Sequence, residues 1–196
     1  MIEITTPRLR LRQWQAADRA PFAAMLADPQ VMRYFPAPLT RAQSDAMADR
    51  CEALIAERGW GLWAVERKAD QRFIGFVGLH IPQADLPCAP CVEIGWRLAA
   101  EAWGQGFATE AATAALAVGF QPLQLREIVA FTTQTNLRSQ AFMQRLGMVR
   151  DSTADFDHPA LPATHPLRPH VLYRIGADAF AARRLGMLCI TQREWV

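Results

Sequence analysis

Cys91-Val-Glu-Ile-Gly-Trp-Arg-Leu-Ala-Ala-Glu-Ala-Trp-Gly-Gln-Gly-Phe-Ala-Thr-Glu-Ala-Ala112 is the segment that decides the fold: a strand-like run meets an alanine-rich helix at a glycine-bracketed turn. Gly104 and Gly106 remove side chains where backbone must approach a ligand, and the first N–H groups of the following helix are free to donate. The positive end of the helix dipole lies behind these donors. The segment therefore predicts a cradle for a diphosphate, and so an anionic cofactor.

Two common nucleotide-binding loops do not fit this segment. A P-loop needs a Lys-Ser or Lys-Thr pair after its second glycine, but Gly106 is followed by Phe107 and Ala108. A dinucleotide-binding turn needs a third glycine where Thr109 stands. The residue pattern therefore disfavours both an ATPase and a dehydrogenase.

Four motifs carry a resemblance to a known family: Pro7-Arg-Leu-Arg-Leu-Arg-Gln-Trp14, Phe73-Ile-Gly-Phe-Val-Gly-Leu79, Trp103-Gly-Gln-Gly-Phe-Ala-Thr-Glu-Ala111 and Asn136-Leu-Arg-Ser-Gln-Ala-Phe-Met-Gln-Arg-Leu-Gly-Met148. In this order they resemble the GNAT superfamily of N-acetyltransferases, in the branch that acetylates ribosomal-protein N-termini on alanine or serine. The motifs lie within residues 7–175. The resemblance implies that acetyl-CoA is the co-substrate and binds at the glycine turn.

The order of predicted elements agrees with this family. Hydrophobic spacing and helix caps predict one α+β domain over residues 1–196, with a core at 7–175 and a helical extension at 176–196. The resemblance implies a mixed, mostly antiparallel sheet of about seven strands, splayed between strands 4 and 5, with helices on both faces. The predicted strands are 8–14, 61–67, 72–80, 91–98, 127–133, 148–156 and 168–175, and the predicted helices are 16–27, 40–57, 106–119, 136–146 and 177–188.

Composition limits the partners. The net charge of +2 comes from 21 basic and 19 acidic residues spread along the chain, which disfavours nucleic acid and an anionic membrane as partners. A membrane-spanning run and a signal peptide are not evident, so we expect a cytoplasmic protein.

Cys88 and Cys91 have the spacing of half a zinc site but lack a second pair, so no metal is expected. Arg183 and Arg184 on the terminal helix are a candidate homodimer contact or a solvated basic face.

Glu93 and Ser139 are the candidate catalytic residues. An alkylammonium has a pKa near 10, so a base must take its proton before the amine can attack. Glu93 resembles the strand glutamate that acts as general base in some GNAT enzymes; the alternatives are a structural carboxylate paired with an arginine such as Arg97, or a surface residue on a sheet edge. Met143 stands where many relatives have the tyrosine that protonates the leaving thiolate, which leaves Ser139, another tyrosine or water for that role.

The predicted cofactor contacts lie on three segments. The resemblance implies that backbone N–H groups of the strand hold the oxyanion and pair with the pantetheine, and that Asn136, a good helix cap, also faces the cofactor. Amides of the turn are expected to hold the pyrophosphate. In order, the cofactor-binding residues are Trp96, Arg97, Leu98, Gly104, Gln105, Gly106, Phe107, Ala108, Thr109, Asn136 and Ser139.

The acceptor side is predicted from a proline-rich loop, Asp155–His170, which contains four prolines and three histidines. We expect Asp155, Asp157 and His158 to shape a pocket for a cationic amine; the alternative is that His158 and His165 hold the loop through backbone hydrogen bonds. Tyr34 is a further candidate substrate contact. Trp14, Phe35 and Trp60 are candidate apolar walls that could equally belong to the core.

Together these patterns favour an N-acetyltransferase that moves an acetyl group directly to a primary amine in a ternary complex. The acceptor is either a protein N-terminus or a small amine. The alternative is an acyl-CoA sensor or assembly subunit without turnover, which the missing tyrosine favours and Glu93 opposes.

Overall fold

The computed structural model describes residues 1–82 and 86–183. Nine strands form one sheet in the order β1-β2-β3-β4-β5-β6-β9-β7, and β8 also pairs with β9. The strands are β1 (Ile4–Thr5), β2 (Leu9–Arg12), β3 (Leu62–Arg67), β4 (Arg72–His80), β5 (Glu93–Leu98), β6 (Glu127–Thr133), β7 (Val149–Arg150), β8 (Phe156–Asp157) and β9 (Pro169–Gly176). The helices are α1 (Arg19–Ala27), α2 (Arg41–Arg58), α3 (Phe107–Phe120) and α4 (Leu137–Arg145).

All strand pairs are antiparallel except β5 with β6, which are parallel. Their one pairing is Glu93 with Val129, supported by the Val129 N–H donating to the Val92 carbonyl at 2.9 Å. Beyond this point no β6 residue pairs with β5 in the described chain, so the two strands diverge. The predicted splay between strands 4 and 5, at 91–98 and 127–133, is confirmed.

Helices cover both faces of the sheet, as predicted. Successive side chains of a strand point to opposite faces. Phe76 of β4 packs against Phe22 of α1 with ring centroids 6.0 Å apart, whereas Trp96 of β5 packs against Phe142 of α4 at 4.7 Å. The α1 and α2 helices therefore lie on one face, and α3 and α4 on the other.

Close packing of α3 explains its small residues. Ala111, Ala112 and Ala115 are fully buried against the sheet. A Cβ at Gly119 would lie 2.5 Å from Ile128 Cδ1, so a larger residue here would require the Ile128 side chain to move. The small residues along α3 therefore let the helix lie close to the sheet over most of its length.

Helix caps appear where the sequence places them. Thr40 accepts from the Gln43 N–H at the start of α2, and Gly59 ends that helix with φ 80°. Asn136 accepts from the Ser139 N–H at the start of α4. These caps explain why most helix boundaries were predicted within two residues.

Two parts of the prediction need correction. The strand expected at 148–156 is broken, because a 3₁₀ turn at Ser152–Ala154 separates β7 from β8. The sheet therefore has nine strands, not about seven, and three of them are two residues long. Of the predicted terminal helix, residues 177–183 are helical and residues 184–188 lie outside the described chain. Arg183 donates to the Arg145 carbonyl of its own chain, and Arg184 lies outside the described residues.

Candidate active site

A cavity of about 1330 Å³ runs through the opening between β5 and β6. We call its two ends the glycine-loop end, at the start of α3 and α4, and the α2 end, under the α1–α2 connection and α2. The glycine-loop end is lined by Trp103, Gly104, Gly106, Phe107, Ala108, Thr109, Asn136, Arg138 and Ser139, and the α2 end by Tyr34, Phe35, Arg50, Trp60, His80, Glu93, Arg97, His158 and His170, among others.

The glycine turn has the geometry of an anion cradle. Gly104 and Gly106 have φ values of 74° and 79°, in the left-handed region that favours glycine. No atom lies within 4 Å of the position that a Cβ of Gly104 would take, so the backbone is open to a ligand there. The backbone hydrogen bond from Glu110 to Gly106 is the first of α3, which leaves the N–H groups of residues 107–109 ahead of it. The turn thus fits a diphosphate.

A polar network braces this turn from the start of the chain. The Glu110 carboxylate accepts from Thr6 Oγ1 at 2.6 Å, from the Arg8 N–H at 2.8 Å and from Arg8 Nε at 2.6 Å. Arg8 also donates to the Gln105 carbonyl at 2.9 Å. Burial alone would raise the pKa of Glu110, but these hydrogen bonds lower it. The network could not be predicted from the sequence, because Glu110 is separated from Thr6 by 104 positions and from Arg8 by 102.

Gln105 does not line the cavity. Its side-chain amide donates to the Glu101 carbonyl at 2.7 Å, and its own carbonyl accepts from Arg8. The side chain therefore stabilises the turn from outside the cavity. A contact between Gln105 and the cofactor stays a prediction, and it would involve the backbone N–H of this residue.

Arg138 is a cavity residue that the sequence analysis missed. Its guanidinium lies 3.9 Å from the centroid of the Trp103 ring, and the Trp103 indole N–H donates to the Leu98 carbonyl at 2.8 Å. The stacked pair places a positive charge beside the glycine turn. The sequence feature that could have identified Arg138 as a cavity residue is its position two residues after Asn136.

Asn136 and Ser139 lie side by side at the glycine-loop end. The Asn136 amide donates to Thr132 Oγ1 at 2.9 Å and accepts from the Ser139 N–H at 3.2 Å. Asn136 therefore uses both ends of its amide within the chain, and its contact with a cofactor stays a prediction. Ser139 lines the cavity, whereas Met143 is 1% exposed and belongs to the core.

Backbone groups of β5 face the opening between the strands. The backbone groups of successive residues in a strand point alternately to its two neighbouring strands. The Val92 carbonyl points towards β6, so the backbone groups of Trp96 and Leu98, four and six residues later, also point towards β6. No β6 residue reaches them in the described chain, since the strands have already diverged. These N–H groups can therefore serve an extended ligand.

Glu93 is buried at the α2 end and pairs with a histidine. His80 Nε2 lies 2.9 Å from Glu93 Oε2, and the two residues are directly opposed on β4 and β5. Burial raises the pKa of Glu93, and the hydrogen bond from His80 lowers it in part. The partner is thus His80 and not Arg97, which the sequence analysis had considered.

Arg97 points away from Glu93 towards the α1–α2 connection. Its Cζ lies 3.7 Å from the centroid of the Phe35 ring and 5.6 Å from that of Phe76. Its Nε is buried without a hydrogen-bond partner. Burial lowers the pKa of Arg97 to about 10. Its backbone is paired with Phe76 of β4, so neither its backbone nor its side chain faces the opening to β6, and its predicted cofactor contact stays a prediction.

The proline-rich loop contributes histidines to the cavity but not the predicted aspartates. His158 and His170 line the cavity with ring centroids 4.9 Å apart, and burial lowers the pKa of both. Asp155 pairs with Arg150, and Asp157 Oδ2 lies 3.2 Å from Arg168 Nε. Neither aspartate lines the cavity, because each carboxylate pairs with a nearby arginine instead.

The alternative role for the loop histidines is seen in the structure. His158 Nδ1 accepts from the Ala160 N–H at 3.3 Å, and His165 Nδ1 accepts from the Leu167 N–H at 3.2 Å. Both histidines therefore hold the loop through its backbone, and His158 also faces the cavity.

The aromatic candidates divide between wall and core. Tyr34, Phe35 and Trp60 line the cavity. Trp14 is 4% exposed, and its indole N–H donates to the Leu62 carbonyl at 2.8 Å, which makes it a core residue.

Cys88 and Cys91 do not form a metal site within the described chain. Their Sγ atoms are 3.7 Å apart, and no third histidine, cysteine or carboxylate completes a ligand set among residues 1–82 and 86–183. Over the same residues, no helix combines the length and the apolar composition that a membrane crossing needs.

A splayed sheet, a glycine turn open to an anion and a buried carboxylate are the features expected of an acetyltransferase, and comparison with known proteins agrees with that class. Residues 8–149 match the family model described as the acetyltransferase (GNAT) domain. The chain therefore belongs to the GNAT acetyltransferase family, whose members act on an amine acceptor and generally use acetyl-CoA.

Relatives and solved structures support this assignment. The chain is 32% identical to the uncharacterized protein YkkB of Bacillus subtilis over 149 residues, 74% of this chain and 84% of that protein. It is 28% identical to the uncharacterized N-acetyltransferase YoaA of the same organism, over 76% of this chain and 83% of that protein. The GNAT-family acetyltransferase of Bacillus anthracis shares the fold with a TM-score of 0.74 at 22% identity, over 90% of this chain and 99% of that structure.

A more distant structure belongs to the branch named in the sequence analysis. The ribosomal-protein-S5-alanine acetyltransferase of Vibrio fischeri aligns with a TM-score of 0.70 at 17% identity, over 91% of this chain and 98% of that structure. This similarity shows the shared fold alone.

Proposed function

We propose that the protein is an acetyl-CoA-dependent N-acetyltransferase that transfers the acetyl group directly to a primary amine. The observation that carries this proposal is the continuous cavity, which joins an open anion cradle at one end to a buried carboxylate at the other. The acceptor is a protein N-terminus, as in the ribosomal-protein branch, or a small amine.

The glycine-loop end fits the charged half of acetyl-CoA. The N–H groups at the start of α3 would hold the diphosphate, with Arg138 supplying a positive charge nearby. Acetyl-CoA would supply the acetyl group as a thioester. Backbone groups of Trp96 and Leu98 would pair with the pantetheine arm and stabilise the carbonyl oxygen during transfer.

Glu93 would accept the proton of the acceptor ammonium. A general base works best when its pKa lies near the operating pH, and burial moves the pKa of Glu93 in that direction. His80 would hold the carboxylate in place and modulate its basicity through the hydrogen bond at 2.9 Å. Ser139 is the polar side chain that we assign to the leaving thiolate, since Met143 is buried in the core.

The test combines binding and turnover. Calorimetry with acetyl-CoA is followed by thiol release with a panel of N-terminal peptides and small amines. We expect saturable binding and transfer to at least one amine class. Binding without transfer to any amine would favour the acyl-CoA sensor, and failure to bind would contradict the cofactor site.

A further inference from the structure

The cavity wall has an unbalanced charge. Among residues 1–82 and 86–183 it is lined by six arginines, Arg33, Arg50, Arg58, Arg97, Arg138 and Arg145, and by one carboxylate, that of Glu93. Arg138 lies in the first turn of α4, at the glycine-loop end, where phosphates are expected, and Arg145 is the last residue of the same helix. The other four belong to the α2 end, where the cofactor's phosphates do not reach in the proposed arrangement.

Arg97 is an arginine of this wall whose charge is buried without a carboxylate partner among the described residues. Its guanidinium is packed against Phe35 and Phe76, and its Nε is buried without a hydrogen bond. No carboxylate of the described residues forms an ion pair with it. Burying an unpaired charge is unfavourable, and an arginine in such a place commonly binds an anion through its planar fork of donors. The missing partner is therefore expected to be a ligand.

The strand geometry relates Arg97 to the proposed base. Glu93, Gly95 and Arg97 share one face of β5, and at about 3.3 Å per residue the Cα atoms of Glu93 and Arg97 are about 13 Å apart. Gly95 lies between them without a side chain, and Leu62 Cδ2 lies 3.5 Å from the position that a Gly95 Cβ would take, so the cavity passes Leu62 between the two residues. An amine at Glu93 could thus extend a second group towards Arg97.

The surroundings of Arg97 favour a negative group at this position. Arg50 of α2 and Arg33 of the α1–α2 connection line the same end of the cavity, and neither forms an ion pair with a described residue. Both side chains are exposed and would attract an anion to the mouth. The two aspartates that were expected to attract a cation are turned away, to Arg150 and Arg168.

We propose that the acceptor is a small primary amine that also carries a compact oxyanionic group, and that Arg97 binds this group while Glu93 faces the amine. A free amino acid or dipeptide with its carboxylate, or an amine with a phosphate monoester, has this chemistry. The inference rests on the proposed transferase function and names its substrate class.

The first experiment compares matched acceptors on the wild-type protein. Dipeptides with a free carboxylate are compared with the same dipeptides as carboxamides, and phosphoethanolamine with ethanolamine. One charged hydrogen-bonded pair predicts that kcat/KM for at least one anionic acceptor exceeds that of its neutral match by about 10-fold to 100-fold. The two series distinguish a carboxylate from a phosphate.

Variants then locate the effect. In Arg97→Gln the ratio of kcat/KM for the anionic acceptor to kcat/KM for its neutral match should fall to about 1. The cause should be a higher KM for the anionic acceptor, with an unchanged KM for the neutral one. Arg97→Lys keeps the charge but loses the fork, so an intermediate preference is expected. Arg41→Gln is the matched control, because Arg41 pairs with Asp45 on α2 and does not line the cavity.

The outcomes separate the two proposals. If neutral amines are acetylated as well as their anionic matches, this inference is wrong and the transferase function stands. If Arg97→Gln keeps the anionic preference, Arg97 is not the anion site and the inference fails. If acetyl-CoA binds but no amine of either kind is acetylated, the proposed function itself fails, and the inference fails with it.

Discussion

Replacing Glu93 with glutamine tests whether this residue is a general base or a structural carboxylate. Glutamine has nearly the same shape and can still accept the hydrogen bond from His80, so the pair at 2.9 Å can be retained. What is lost is the ability to take a proton. A positioned general base contributes about 100-fold to 10,000-fold, so kcat should fall by that factor, equivalent to about 3 to 5 kcal/mol of barrier.

The same substitution should leave the stability of the folded protein unchanged or raise it. Because burial raises the pKa of Glu93 in the folded state, the folded chain holds this proton more tightly than the unfolded chain. The free energy of unfolding therefore falls as pH rises above the ordinary range of a glutamic acid. Glutamine has no such charge, so the Tm of Glu93→Gln at neutral pH should equal or exceed that of the wild type.

The pH dependence of kcat/KM gives the sharper measurement. The wild-type rate should fall at low pH as Glu93 is protonated, and this limb should be absent in Glu93→Gln. His80→Phe removes the donor that lowers the pKa of Glu93, so the limb should shift to higher pH. His80→Gln keeps a donor and is its matched control, and Glu3→Gln, at an exposed surface pair with Arg10, controls for loss of a carboxylate.

Two results would refute this reasoning. One is a Glu93→Gln variant that keeps the wild-type kcat and acid limb, which would show that another group takes the proton. The other is a large loss of Tm with proportional loss of folded protein, which would identify Glu93 as a structural carboxylate.

Three further predictions concern the cradle, the leaving group and the loop. Gly106→Ala forces a side chain into φ 79° with its Cβ 3.3 Å from an Arg8 nitrogen, so calorimetry should show weaker acetyl-CoA binding and a strain of about 1 to 2 kcal/mol in the free energy of unfolding. Ser139→Ala should lower kcat without changing the Tm, and an unchanged kcat would assign protonation of the thiolate to water. Asp157→Asn should leave the acceptor KM unchanged, because this exposed carboxylate pairs with Arg168 outside the cavity; a raised KM would return it to the acceptor site.

Much of the fold follows from short stretches of sequence. Thr40 with Gly59, and Asn136 with Gly147, lie at helix ends because caps act within one helical turn. The glycine turn before α3 was predicted for the same reason, since two neighbouring glycines and the helix start define it. The strand at 148–156 was predicted less well, because its break depends on contacts with β9.

The site could be predicted only in part. The segments that line the glycine-loop end are local motifs, and Gly104, Gly106, Asn136 and Ser139 lie where they were expected. At the α2 end, His80 and Arg97 acquire their roles from neighbours on other elements. Asp155 and Asp157 were misplaced because their arginine partners become adjacent only when the loop pairs with β9.

The sequence by itself determined the order of elements, the caps and the glycine cradle, because each depends on residues within a few positions of one another. Tertiary structure alone decided that Glu93 faces His80, that Arg8 holds Glu110, and that Arg97 lies unpaired beneath Phe35. These contacts depend on strand register and helix docking, where a shift of one residue turns a side chain to the opposite face of the sheet. The chemistry of the acceptor end is therefore a property of the folded sheet.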